Sequence, residues 1–268
     1  MVGIAERRDT SPYDKIVVCA SLFGADAKYR GAAIQCAEEV LHLRDRFPGL
    51  LLAIYYDSSV PEKSIVALAS ISCVELVYVE SPWVGVGTVA ALYRFKGFED
   101  YRTAKLIVTY DLDNKINADF FIAIIENALA GDSIFYFLKK SNAPRGRPFN
   151  ADCWIAIPKR SENYIEISQA ITRQFLAYIR PMHDTDYGCD ERVQRLIVEN
   201  LRKYHRPEAR IFRFYKNQVS SAHIQSSNYD DTQRAIMCES EVLLLENKWV
   251  GESNNQTPSL PSRQVVLS

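Results

Sequence analysis

Short apolar runs alternate with longer segments of helical periodicity through the first half of the chain. Lys15–Ala20 (KIVVCA) has the pattern of a buried strand, and Ser21-Leu22-Phe23-Gly24 reads as the turn that follows it. From Asp26 to Phe47, Ile34, Ala37, Val40, Leu41 and Arg44 recur at helical spacing, and Pro48-Gly49 ends that segment. Leu50–Tyr56 (LLLAIYY) predicts a second strand closing on Asp57. Pro61 suits the first turn of a short helix running to Ile71. Val74–Val79 predicts a third strand, and Lys105–Tyr110 (KLIVTY) a fourth that ends on Asp111. Ala118–Leu129 reads as a helix stopped by Gly131, and Ser133–Leu138 as a further strand.

A β-α-β-α-β order predicts an α/β fold with a mainly parallel sheet covered on both faces. Ligands of such sheets bind outside the carboxyl ends of the strands. Ser21, Asp57 and Asp111 all fall at expected strand C-termini, so the pattern gathers them along one edge. The second half is less regular. Ser141–Asn150 is turn-rich, Cys153–Ile157 is a short apolar strand, and Ile165–Ile179 and Glu191–Tyr204 read as helices around a loop at Pro181–Gly188. From Ser253 the chain is polar and proline-bearing, and is expected to be disordered.

The segment Lys105–Lys115 (KLIVTYDLDNK) carries the clearest chemistry. A hydrophobic strand delivers Asp111 and Asp113 into a turn, with Leu112 between them. Alternate side chains of an extended segment point the same way, so the two carboxylates are expected to share one face. Two such oxygen donors suit a hard divalent cation that also carries a diphosphate. That cation would neutralise charge growing on a nucleotide leaving group. Asp is also common in turns, and it is the position after a buried strand that favours the metal reading.

Aspartyl phosphatases also place D-x-D after an apolar strand, but with Thr or Val where this chain has Lys115, and usually near the N-terminus. A phosphate-wrapping loop is absent too, because Gly85-Val86-Gly87-Thr88 lacks the Gly-Lys-Ser/Thr ending.

The chain carries 32 Lys and Arg against 33 Asp and Glu, a net charge of −1, which argues against a broad basic nucleic-acid face. Its 268 residues can bury a full core without staples. Six scattered cysteines form no C-x-x-C pair, and Cys19, Cys73 and Cys153 lie in or beside apolar runs, where a thiol is usually a small core hydrophobe. Met1–Tyr13 lacks an apolar h-region, and no apolar stretch approaches about 20 residues, so neither a signal peptide nor a transmembrane anchor is expected. A reducing cytoplasm is the expected location.

Several blocks then resemble, in order, a glycosyltransferase of the GT-A (nucleotide-diphospho-sugar transferase) fold. The likeness is to small soluble enzymes of bacteria and large DNA viruses, including the chlorella-virus type. Ser21-Leu22-Phe23-Gly24 followed by Lys28-Tyr29-Arg30-Gly31-Ala32 resembles that family's S-L-[YF]-G…K-Y-x-x-G start. Phe47-Pro48, Ile54-Tyr55-Tyr56-Asp57 and Ser59-Val60-Pro61 resemble its second strand and exit. Leu92-Tyr93-Arg94-Phe95 resembles L-W-R-F, and Tyr110–Lys115 stands where R-D-x-D-S-R is usual. Pro148–Trp154 resembles P-x-x-G-G-x-W, with Ala151 and Asp152 replacing the glycines. Tyr187-Gly188-Cys189-Asp190-Glu191 resembles Y-G-x-D-[QE], and Lys248–Glu252 resembles a closing F-V-G-E.

The resemblance implies a single GT-A domain over 15–252, with tails at 1–14 and 253–268. It implies a metal-dependent transferase that moves a sugar from a UDP-sugar donor to a glycan, glycoprotein or other hydroxyl acceptor, in the host cytoplasm if viral. Asp111 and Asp113 would hold Mn²⁺ or Mg²⁺, with Leu112 between them at the donor. The backbone of Ser21, Leu22, Phe23 and Gly24 would cradle the base, and Asp57 would hydrogen-bond uracil or ribose. A turn cap before Ser58-Ser59 is the equal alternative for Asp57.

Arg94 would reach the donor diphosphate or sugar, in place of a surface ion pair. Asp190 or Asp152 would serve as catalytic carboxylate, acting as general base if the enzyme inverts; Asp190 also fits a helix N-cap. Trp154 would stack on a sugar or belong to the core. A third metal ligand would be His183, His205 or His223, or none. Two rivals remain. A same-fold nucleotidyltransferase would need a Gly-rich basic loop that SLFGADAKYR does not offer. A non-catalytic nucleotide- or glycan-binding module would keep the site without turnover.

Overall fold

The computed structural model describes residues 14–80, 91–113, 118–130, 135–139, 153–156, 173, 211–215 and 237–253. In chain order these form β1 (Ile16–Leu22), α1 (Ala27–Leu43), β2 (Leu50–Tyr56), α2 (Glu62–Ala69) and β3 (Val74–Tyr78). A 3-10 turn (Ala91–Lys96) runs into α3 (Gly97–Asp100), followed by β4 (Leu106–Tyr110) and α4 (Ala118–Ala130). Then come β5 (Phe135–Lys139), β6 (Cys153–Ala156), β7 (Ile211–Tyr215) and α5 (Glu239–Ser253).

The strands form one sheet in the order β3-β2-β1-β4-β6-β5-β7. β1 pairs in parallel with β2 and β4, and β2 with β3, while β6 runs antiparallel to β4 and β5. β5 and β7 are parallel. The fold is therefore α/β around a mainly parallel sheet, as the alternating pattern predicts. The chain builds outward from β1 to β2 and β3, then returns to add β4 on the other side of β1. The gap between the carboxyl ends of β1 and β4 is thus a point where strand order reverses, the place where open α/β sheets bind ligands.

Both faces of β1 are buried, which explains its unbroken apolar run. Ile16, Val18, Ala20 and Leu22 join a core with Ala33, Ile34, Ala37 and Val40 of α1 and with Phe121, Ile125 and Ala128 of α4. On the other face, Val17 and Cys19 are fully buried. A Cβ on Gly97 would overlap the Cys19 sulfur, so a glycine there lets the turn and α3 lie directly on the strand. Tyr55, also on that face, donates to Asp100 Oδ2 at 2.8 Å. Cys19, Cys36 and Cys73 are buried and in no disulfide, in line with the core reading of Cys19 and Cys73. The Cys153 side chain lies outside the described residues.

Four expectations change. Ser21 and Leu22 belong to β1, not to the turn, because they keep pairing with Tyr55 and Tyr56. The first helix stops at Leu43, with Arg44 as its cap, and turns of chain precede Pro48. Ser253 closes α5 and is not the start of a tail. Strand β7, helix α5 and the 3-10 turn with α3 were not expected at all. No described helix is long and apolar enough to cross a membrane. The expected helices over Ile165–Ile179 (apart from Arg173, which is helical) and Glu191–Tyr204 lie outside the described residues.

Candidate functional site

The parallel register sets the carboxyl ends of β1, β2 and β4 side by side. Leu22 is level with Tyr56 and Cys19 with Thr109, so Phe23 and Asp57 leave their strands together, and Asp111 leaves β4 level with Ser21. The edge anticipated from the hydrophobic pattern is therefore present.

Three contacts tie this edge to the 3-10 turn. Ser21 Oγ donates to the Ala91 carbonyl at 3.4 Å. Phe23 stacks on Tyr93 with ring centroids 5.5 Å apart. Arg94 Nη1 lies 3.4 Å from Asp111 Oδ1. Arg94 is 2 % exposed. It is thus not the surface ion pair considered as its alternative, but a buried cation beneath the site. Leu112 is buried as well, and anchors the turn between the two aspartates in the core.

The Phe23-Gly24 exit is held from the other side. Gly24 has φ +81°, in the left-handed region, and its N–H donates to Ser59 Oγ at 2.7 Å. A residue with a Cβ would adopt that φ at a cost of about 1–2 kcal/mol. Asp57 Oδ1 accepts from the Ser59 N–H at 2.9 Å and from the Ser59 hydroxyl. The turn-capping role considered for Asp57 is therefore real, but it uses one oxygen. Asp57 is 1 % exposed, and its Oδ2 has no hydrogen-bond partner among the described residues. A buried carboxylate oxygen without a donor is costly and calls for an explanation beyond the turn cap.

Asp113 is held differently from Asp111. The β4 strand ends at Tyr110 and Leu112-Asp113 form a turn, so strand alternation does not set the two carboxylates. They are placed by separate cations: Arg94 pairs with Asp111, and Lys28 Nζ donates to Asp113 Oδ2 at 3.0 Å. Lys28 is the second residue of α1, whose start is fixed by Asp26 Oδ1 accepting from the Lys28 N–H at 2.9 Å. Burial alone would lower the Lys28 pKa. Its hydrogen bond to Asp113 and the charges of Asp113 and Asp111 outweigh that and raise it. Tyr29 is likewise raised, by burial first and then by Asp113 and Asp111 against Lys28. Asp113 thus contacts the first turn of α1, and the charges of both aspartates act on it.

Lys28, Ser59 and Tyr93 are site residues that motif reading did not single out. Lys28 stood only within the Lys28–Ala32 block, and its role depends on α1 starting beside the end of β4. Asp152, Asp190, His183, His205 and His223 lie outside the described residues, as does the Trp154 side chain. Among the described residues, no group of three or more His, Cys, Asp or Glu could hold a metal ion. The Asp111–Asp113 pair still fits a divalent cation, since Mg²⁺-type sites use one or two carboxylates and complete their shell with water and phosphate oxygens.

No protein-family model and no curated protein matches the sequence. The structure is similar to the apo-form glycosyltransferase GlyE of Streptococcus pneumoniae, at 11 % identity and a TM-score of 0.43 over 93 % of this chain. The chain spans 66 % of the GlyE chain, slightly less than two thirds of its length. It is similar to Rv0371C of Mycobacterium tuberculosis, solved as a complex with manganese. There the identity is 13 % and the TM-score 0.41, over 76 % of this chain and 88 % of that one. It is also similar to mouse xyloside xylosyltransferase 1, with 10 % identity and a TM-score of 0.41 over 75 % and 84 % of the two chains. At these scores the likeness decides nothing about chemistry, which the site's own residues carry.

Proposed function

We propose that this chain is a GT-A-type glycosyltransferase that moves a sugar from a nucleoside diphosphate, UDP, to a hydroxyl acceptor on a glycan or glycoprotein, with Mn²⁺ or Mg²⁺ bound. The observation that carries the reading is the edge at the reversal of strand order. Two carboxylates, Asp111 and Asp113, stand there beside two cations, Arg94 and Lys28, and a buried carboxylate, Asp57, keeps one oxygen unpartnered among the described residues.

Each part has a matching piece of the donor. Asp111 and Asp113 would hold the divalent cation, which would neutralise charge on the departing diphosphate. Arg94, buried against Asp111, would place fixed positive charge under the phosphate oxygens. Asp57 Oδ2 accepts from uracil or ribose, and the left-handed Gly24 lets the backbone of Ser21–Gly24 approach the base. Asp190 or Asp152 is the proposed carboxylate toward the acceptor hydroxyl.

Titrating UDP with and without Mn²⁺, then following UDP release over a panel of UDP-sugars, tests the reading. Metal-enhanced UDP binding with turnover on one donor is expected. Absence of metal-dependent UDP binding would sink it. Tight binding with no turnover on any donor would favour a binding module that has kept the site.

A further inference from the structure

We propose that Lys28 is an internal counter-ion that occupies Asp113 until a divalent cation and a diphosphate arrive together, so that metal binding and donor binding are coupled through this lysine. The inference rests on the proposed function above and adds a role for a residue of α1.

The two cations at the aspartate pair differ in how firmly they are held. Arg94 is 2 % exposed, so its guanidinium stays where it is. The Lys28 and Asp113 side chains are 32 % and 29 % exposed, and the Lys28 ammonium lies 4.9 Å from the centre of the Tyr29 ring. Asp26 fixes the Lys28 backbone, but the four-carbon stem beyond it can swing. Lys28 Nζ is 3.0 Å from Asp113 Oδ2, an oxygen the metal would need.

A divalent cation arriving alone must either displace the ammonium or sit beside a like charge. If displaced, Lys28 gives up its 3.0 Å ion pair with Asp113, the contact that holds its ammonium at this edge. A diphosphate changes that balance, because it brings anionic oxygens to the same edge and gives the released ammonium a new partner. The metal alone therefore binds weakly, and metal and diphosphate strengthen each other. The reciprocity is obligatory: whatever factor UDP adds to Mn²⁺ affinity, Mn²⁺ adds to UDP affinity.

The test is Mn²⁺ binding to the full chain, read from the free-ion electron paramagnetic resonance signal, with Mn²⁺ alone and with saturating UDP. Lys28→Met keeps the stem and removes the charge; Lys28→Arg keeps the charge. For a pair about one-third exposed, Lys28→Met is expected to bind Mn²⁺ alone about three- to tenfold tighter than the native chain, with the strengthening by UDP reduced by a similar factor. Lys28→Arg should stay near native on both counts. Circular dichroism confirms that each variant is folded, and Lys28→Gln serves if Lys28→Met is not.

Unchanged or weaker Mn²⁺ binding by the charge-removing variant, with UDP coupling intact, overturns the counter-ion role and leaves the proposed function standing. Failure of the native chain to bind Mn²⁺ even with UDP present removes the proposed function, and this inference with it.

Discussion

Arg94 Nη1 and Asp111 Oδ1 lie 3.4 Å apart beneath the carboxyl edge of the sheet, with the arginine almost wholly buried and the aspartate one-third exposed. A buried cation beside a carboxylate that is one-third exposed holds that carboxylate in place and, under the proposed function, keeps positive charge near the diphosphate. Replacing Arg94 by Met is predicted to weaken UDP binding in the presence of Mn²⁺ by about tenfold or more. Arg94→Lys restores the charge without the planar fork and should recover only part of the loss. Calorimetric titration of UDP checks both; equal affinity in all three proteins would make the pair purely structural.

Asp57 binds Ser59 through Oδ1 alone, and the proposed donor contact would use Oδ2. Asp57→Asn keeps an acceptor for Ser59 and converts the unpartnered oxygen into a donor. Thermal stability should stay close to native, while UDP affinity falls about tenfold, the scale of one lost and one mismatched hydrogen bond. Asp57→Ala loses the Ser59 contacts as well, and is predicted to cost about 1–2 kcal/mol of stability. If Asn weakens the fold as much as Ala while UDP binds as before, Asp57 is only a turn cap.

The C-terminal helix is attached by a buried charge pair. Arg30 Nη1 of α1 lies 2.9 Å from Glu246 Oε1 of α5, both almost fully buried, and the same carboxylate accepts from Ser64 of α2. Removing Arg30 strands the buried Glu246 charge, so Arg30→Met should cost about 3–5 kcal/mol in urea unfolding, whereas Glu246→Leu should cost less because Arg30 keeps Glu239. The double variant should cost clearly less than the sum of the two. Additive losses would mean that the pair does not couple the helices.

Burial makes the fold alkali-sensitive. Burial pushes the Cys73 thiol from its ordinary value of 9.0 up to about 12, and the Cys19 thiol well above 9.0. An unfolded chain therefore releases these protons before the native one does. Their stabilising contribution is complete below about pH 9 and falls as pH rises from there toward about 12. At about pH 10, Cys73 alone should have lost about 1.4 kcal/mol. Urea midpoints between about pH 8 and pH 10 measure this, and Cys73→Ala should flatten the decline. A midpoint that is level across that range in the native chain contradicts it.

Strands β1 to β6 were legible because each is an apolar run bounded by turn residues; β7 (IFRFY), with an arginine at its centre, was not. Leu50–Tyr56 matches its expected range in full. The acidic pair was legible for the same reason: a buried strand that ends on Asp111 has to deliver it to the sheet edge. Helix α5 was not, since Val242, Leu243, Leu244 and Leu245 run together without helical spacing, and Leu244 is 70 % exposed. What orders that helix is Arg30, more than two hundred positions earlier, together with Glu38, which accepts from Lys248 and Trp249. Lys28 escaped notice for a like reason. Its sequence neighbours say helix start, and only the β1–β4 adjacency brings it to Asp113.

The central claim is that Asp113 holds a divalent cation that binds the donor diphosphate. Calorimetric titration of UDP into native chain and Asp113→Asn, each with and without Mn²⁺, tests it most directly. The account predicts that Mn²⁺ strengthens UDP binding to the native chain at least about tenfold and that folded Asp113→Asn loses this increment while keeping its metal-free affinity. The same Mn²⁺-dependent increment in folded Asp113→Asn would contradict it.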